Sequence, residues 1–445
     1  MRFLILLLTA AWAQAQTPLM MPRVTLVERD GITGAGQVVQ AGNRLLVLYP
    51  NHPDDFGGSG GSGASVSEGD GGTWQAQPDD WPLGRTVDVW ADRLKNGDLI
   101  AIGLKWAPDP KKRGEVSQKD VPADAYHLGI STDGGRTWRS EPMVIEHPAE
   151  FGIIARPLPH IFEDDSGTLF MPAYAWGKAG NHALLLTSKN RGRHWSVLSS
   201  ITTAAAMVKA GAPVTTPWLE TTVSPTQNGD FLAVVRTGSS AKSSLVSVRS
   251  TDRGRTWSAP EKMSAAGKLP TLQLLPSGVL AMLTAHTKNH CRLYLSVDGN
   301  GRVWSTAYVL TSRSGGNAGM IATGKDSLLV ISPANKRIDA WRVSLRNTPV
   351  AADNLAAPTD IIFNQGTLSW SSTATAHEVT PVLIAKAAGH DDTEILPHTP
   401  IRVEGTKLDI SQQLLIGATY AFEVRAVDHE GHLSPSARSA QSVTH

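Results

Sequence analysis

The sequence predicts an all-β chain, a six-bladed β-propeller followed by a small β-sandwich. Three observations lead there. A short box, Ser-x-Asp-x-Gly-x-Thr-Trp, recurs along most of the chain. Between its copies lie apolar segments paired about tight turns. Near Asn347 both signals stop, and short alternating strands take over.

The amino-terminus comes first. Met1-Arg2 is followed by an apolar run from Phe3 to Ala11 and then Ala13-Gln14-Ala15. A basic start, a short apolar centre and an A-x-A end read as a secretory signal peptide over residues 1–15. The run is too short for a membrane-spanning helix, and no other segment reaches that length. The mature chain is expected to begin near Gln16, exported and without a membrane span. The formal net charge is +1 over 445 residues, which gives no basic excess for a nucleic-acid partner. Cys291 is the single cysteine, so no intrachain disulfide can form. A lone cysteine in an exported protein points to a bacterial, secreted or periplasmic location.

The propeller is expected over 24–346. Its box is clearest at Ser131 to Trp138 (STDGGRTW) and Ser250 to Trp257 (STDRGRTW). Ser188 to Trp195 carries Asn190 in the Asp place, Ser67 to Trp74 has its Asp shifted to Asp70, and Ser296 to Trp304 has one extra residue. Successive copies start 46 to 64 residues apart, a period typical of propellers and other arrays. Six hairpins accompany them, with turns at Gly42-Asn43, Asn96-Gly97, Ser166-Gly167, Asn228-Gly229, Ser277-Gly278 and Lys325-Asp326. In the box, the Asp carboxylate can accept N–H bonds within its own turn, Gly supplies a positive φ, and Trp packs between strands. It is a folding device that says nothing about chemistry.

Residues 347–355, rich in Ala and Pro, read as a linker. Over 356–445, the stretches Gly366 to Trp370 and Ala418 to Val427 alternate apolar and polar residues as sandwich strands do. Trp370 and Tyr420 stand where fibronectin type III domains place a core Trp and a corner Tyr. This part therefore resembles such a domain, which in exported glycosidases serves as a spacer or docking unit.

Over about Val24 to Leu345, the boxes and hairpins resemble the sialidase, BNR-repeat (Asp-box) superfamily. The resemblance implies an axial sugar pocket with three arginines for a carboxylate, a Tyr–Glu pair and an acid Asp. Glu220, nine residues before Gly229, and Arg236, seven after it, match the family's Tyr-activating Glu and second Arg. Other roles depart from the pattern. The first Arg falls in Thr33-Gly34-Ala35, and the acid Asp falls in the Gly/Ser loop from Gly57 to Gly63, with Asp54 and Asp55 out of register. The third Arg falls on Lys288, and the nucleophilic Tyr falls on Asn317.

Counting nine back from each turn puts Gly34, Asp88, Leu158, Glu220, Leu269 and Asn317 towards the axis, with Arg85, Arg156 and His160 beside them. Glu220 and Asp88 form a candidate catalytic carboxylate pair, the arrangement that glycoside hydrolysis uses. Arg236, Arg85, Arg156, His160, Lys288 and Asn317 are candidates for binding substrate. The competing reading is a structural ion-pair network, for instance Arg85 with Asp88. His160 as base with Tyr174 as acid would suit β-elimination on a uronate, with Arg156 as its counter-charge. Trp81, Trp90, Trp106, Trp176 and Trp218 are either sugar-stacking or core residues. The loop 107–124, with Lys111-Lys112-Arg113, is a candidate rim or a solvated run. The histidines are scattered and no H-E-x-x-H occurs, so no metal or other cofactor is expected. The expected partner is a carbohydrate: an oligo- or polysaccharide, or a glycoconjugate. The leading expectation is a divergent exo-glycosidase acting on a terminal, acidic or neutral, sugar. The alternatives are a non-catalytic glycan-binding propeller and a polysaccharide lyase.

Overall fold

The computed structural model describes residues 16–445 apart from 33, 35, 52–60, 79–82, 84–85, 87, 110, 112–117, 147–148, 178–179, 241, 287–289, 312–317, 335, 348, 353, 386–397, 415–416, 440–442 and 445. The expected leader at 1–15 lies outside the described residues. Those residues are almost entirely β, with one short α-helix at Ala204–Lys209.

Among the described residues, six sheets follow one another up to Asn347. Sheet one runs from Gln37–Ala41 through Arg44–Pro50 and Ser62–Ser67 to Gln75–Ala76, antiparallel and in sequence order. Sheet two runs from Asp88–Arg93 to Arg139–Pro142, sheet four from Thr221–Pro225 to Glu261–Ala266, and sheet five from Lys268–Leu274 to Tyr308–Thr311. Sheet three, from Ile153–Pro157 to His194–Thr203, gains an extra outer strand, Val144–Glu146, parallel to its neighbour. Each expected turn joins the first two strands of its sheet. At Gly97 and Gly229, φ values of 92° and 86° require a residue without a Cβ.

The boxes end the third strands of sheets one to five, where the expected bonds form. Asp133 accepts the Arg136 and Thr137 N–H groups at 3.0 and 2.9 Å and the Thr137 hydroxyl at 2.6 Å. Ser131 Oγ donates to Asp133 at 2.8 Å and accepts Gly135 N–H at 2.8 Å. Asp252 repeats the pattern with Thr256 and Ser250. Asn190 serves in the third copy because its amide oxygen accepts His194 N–H at 2.9 Å. Trp195 is fully buried between sheets two and three.

Sheet six consists of Gly319–Gly324, Ser327–Ala334 and Arg337–Asn347, and its outer edge comes from the start of the chain. Val24–Glu28 pairs with one half of Arg337–Asn347, and Gln16–Met20 pairs with the other half from Gln16↔Asn347 to Met20↔Val343. The sheet does not end there. Met20 pairs with Ile401, so the order continues through Ile401–Glu404, Ala376–Ala385 and Thr419–Val427 into the carboxy-terminal lobe. That lobe adds a three-stranded sheet of Thr359–Asn364, Thr367–Ser371 and Lys407–Asp409. Phe363 of this second sheet stacks on Phe422 of the first at 5.3 Å, with Trp370 and Tyr420 buried in the same core. In the expected linker, Ala352 N–H donates to Leu433 O at 2.7 Å and Leu433 N–H to Val350 O at 2.9 Å.

Candidate functional site

The first strands of the six sheets deliver residues to one shared cavity. Its wall takes Gly36 from sheet one, Asp88 from sheet two, Arg156 and Leu158 from sheet three, Glu220 from sheet four, Leu269 from sheet five and Ala318 from sheet six. The registers differ slightly from the count: Gly36 rather than Gly34 reaches the wall. A Cβ on Gly36 would lie 1.6 Å from Leu48 O, so only glycine fits there. Asn317, Arg85, Lys288 and Trp81 lie outside the described residues, as do Lys112 and Arg113.

The charges gather on sheets two, three and four. Glu220 and Arg236 face each other across one hairpin, where Arg236 N–H donates to Glu220 O at 2.9 Å. Their side chains pair at 2.6 Å, with 13% and 7% of the side chains exposed. Arg236, a candidate for binding substrate, is not among the residues that line the cavity. It sits behind Glu220, donates through Nε to Gly238 O at 2.7 Å, and lies 5.6 Å from the Trp218 ring. Glu220 also accepts the Leu269 N–H of sheet five at 3.1 Å. Leu269 has φ of 44°, uncommon for a residue with a side chain, and this turn of the backbone aims its amide at the carboxylate. Beside it, Lys268 is partly buried. Burial and the Arg236 guanidinium depress its pKa, while Glu220 opposes them.

Asp88 and Arg156 form the second pair, Nη1 to Oδ2 at 2.9 Å. Each candidate carboxylate thus has its own guanidinium, which fixes its orientation. Tyr174 is the cross-strand partner of Arg156 and is 3% exposed. Burial raises its pKa strongly. Arg156 opposes the rise, and the Glu220 and Asp88 anions add to it. The phenol therefore keeps its proton at neutral pH amid four charges. Gln37 Oε1 and Trp90 Nε1 are buried polar atoms without a partner among the described residues, and both residues line the cavity.

His160 is placed elsewhere. Its Nδ1 lies 2.9 Å from Asp92 Oδ1, and Asp92 also accepts Ile161 N–H at 2.7 Å. This clamp joins sheet three to sheet two, whereas Tyr174 packs in the core towards sheet four. His160 is thus engaged with Asp92, and Tyr174 is buried in the core shared by sheets three and four. Trp90 and Trp176 are core residues, 3% and 6% exposed. Trp106 and Trp218 are only partly covered. Sequence reasoning did not single out Lys268. Its position at the start of an inner strand, one residue before Leu269, was the available signal.

Residues 113–378 match the BNR repeat-like domain family. The chain belongs to that family. Solved structures place this BNR repeat-like chain among propellers. A protein of unknown function from Dyadobacter fermentans is 18% identical with a TM-score of 0.58, over 74% of this chain and 99% of that one. A Hadza microbial sialidase is 16% identical with a TM-score of 0.54, over 69% and 64%. An α-L-arabinanase of Penicillium chrysogenum complexed with arabinobiose is 15% identical with a TM-score of 0.50, over 74% and 98%. At these identities the likeness is one of fold. No curated protein matches the chain. No helix among the described residues is long and apolar enough to cross a membrane.

Proposed function

We propose that this BNR repeat-like chain is an exported, carbohydrate-active six-bladed propeller with a fibronectin type III-like lobe. Its activity is that of a divergent, sialidase-like exo-glycosidase on a terminal sugar. The observation that carries the reading is the meeting of Asp88, Arg156 and Glu220 from three neighbouring sheets on one cavity, with Tyr174 buried against them. In this reading Glu220 is the oriented anion that meets positive charge developing at the anomeric carbon. Arg236 and the Leu269 amide hold it. Asp88 is the second carboxylate, Arg156 answers an acidic group on the sugar, and the Tyr174 hydroxyl donates to a ring or leaving-group oxygen. Because the family's first Arg and nucleophilic Tyr fall on Thr33 and Asn317, an aryl sialoside should be a poor substrate.

A second reading is glycan binding without turnover. It is favoured by the pairing of both carboxylates with arginine, which leaves each already engaged by a guanidinium. Screening the purified protein against aryl glycosides and polysaccharides separates the two. Release of aglycone from any member supports the hydrolase. Glycan retention with no release from any member supports the binding module. Growth of the unsaturated-uronate absorbance would mean elimination and would overturn both.

A further inference from the structure

The carboxy-terminal lobe has a structural duty that a spacer would not have. In most of the ring the outermost strand of a sheet faces solvent, but in sheet six the strand Gln16–Met20 lies between two neighbours. On one side it holds Arg337–Asn347 along five register pairs. On the other, Met20 N–H donates to Pro400 O at 2.8 Å, where the lobe's Ile401–Glu404 begins. We propose that the lobe is a lock on ring closure: it pins the amino-terminal strand from its far edge and so keeps sheet six and its part of the cavity wall shut.

Four independent contacts carry this. Arg346 of Arg337–Asn347 makes a two-pronged pair with Glu378 of the lobe, one prong at 2.7 Å, and the Glu378 side chain is only 3% exposed. Arg23, between the two amino-terminal strands, bonds Asp339 of sheet six at 2.9 Å and also reaches Asp409 of the lobe at 3.8 Å. The lobe grips sheet five as well, where Thr399 N–H donates to Val309 O at 3.0 Å. Finally, Met20, Trp341 and Val343 share one buried cluster with Val379, Ile401 and Phe422, so no solvent layer separates lobe from ring. A joint of this kind, apolar and crossed by a buried ion pair, behaves as part of a single core rather than as a hinge between domains. The site depends on it through Gly319, which lies directly against Gln37 of sheet one across the closing seam.

The test is native-state hydrogen exchange on the full chain, in the wild type and in Glu378→Gln. In the wild type, low denaturant should open 16–20, 343–347 and 376–385 in one step with a common denaturant dependence. Opening of 376–385 ahead of 16–20 would overturn the lock. Glu378→Gln should speed exchange at 16–20 and 343–347 at least tenfold while sheets two to four keep their protection. Faster exchange confined to the lobe would also overturn it. The wild-type experiment stands even where the variant does not fold.

Discussion

Glu220 is held from two sheets at once, and that decides what its loss does. Glu220→Gln keeps the shape but leaves the Arg236 guanidinium, largely buried, without its counter-charge. Breaking such a pair from one side costs about 3–5 kcal/mol. The variant should melt well below wild type and show no turnover on whichever glycan the screen identifies, and calorimetry beside the activity assay checks both. Retention of full activity would remove Glu220 from the proposed chemistry. Tyr174→Phe asks a different question. It deletes one hydroxyl and keeps the ring packed, so the melting temperature should hold within a few degrees while turnover or binding falls at least tenfold. The position of Glu220 was legible in the sequence because turn spacing fixes where an inner strand starts. The partners were not. Which guanidinium meets Asp88 depends on how sheet three leans against sheet two, and Arg156 comes from another blade.

At the scale of the element, the box shows how a motif tolerates decay. Asn190 supplies the acceptor its own turn needs, but Asp133 also takes the Thr137 hydroxyl on its second oxygen, so Asp133→Asn should lower the melting temperature measurably and Asp133→Ala more. The carboxylates also set an acid limit. Although slight burial opposes it, the hydroxyl and amide of Thr137, with Ser131 and Arg136, hold Asp133 at about 2. Thr256 leads the same effect at Asp252, also at about 2. Both folded values lie below the ordinary 3.8. The stabilisation they give is therefore complete above that pH and is lost as pH falls from 3.8 towards 2. An acid titration of Asp133→Asn should show a shallower loss over that window than wild type. The tryptophans of the boxes are unequal: Trp195 is fully buried while Trp304 is half-buried. Trp195→Ala should cost about 3–5 kcal/mol and Trp304→Ala less, read from denaturant midpoints. These hairpins were legible because Asn-Gly and Ser-Gly turns announce themselves locally. The parallel strand Val144–Glu146 was not, since nothing in three residues says that they will join the next sheet rather than their own.

At the scale of the whole molecule, the sequence read as a ring, a linker and a separate module. The joint between them escaped notice for a physical reason. Gln16–Met20 is short, contains Pro18, and earns its strand geometry only from the neighbours on either side. That strand and its companion Val24–Glu28 have a consequence in time. The Thr25 hydroxyl meets Asp339 across 314 residues of sequence. The strands Gln16–Met20 and Val24–Glu28 must therefore stay unpaired until Arg337–Asn347, far along the chain, is in place. Contacts so distant in sequence form slowly, and an open sheet edge invites wrong partners while it waits. Refolding from denaturant should accordingly show sheets two to four gaining exchange protection early and 16–28 together with 337–347 gaining it last, in a concentration-sensitive competition with aggregation.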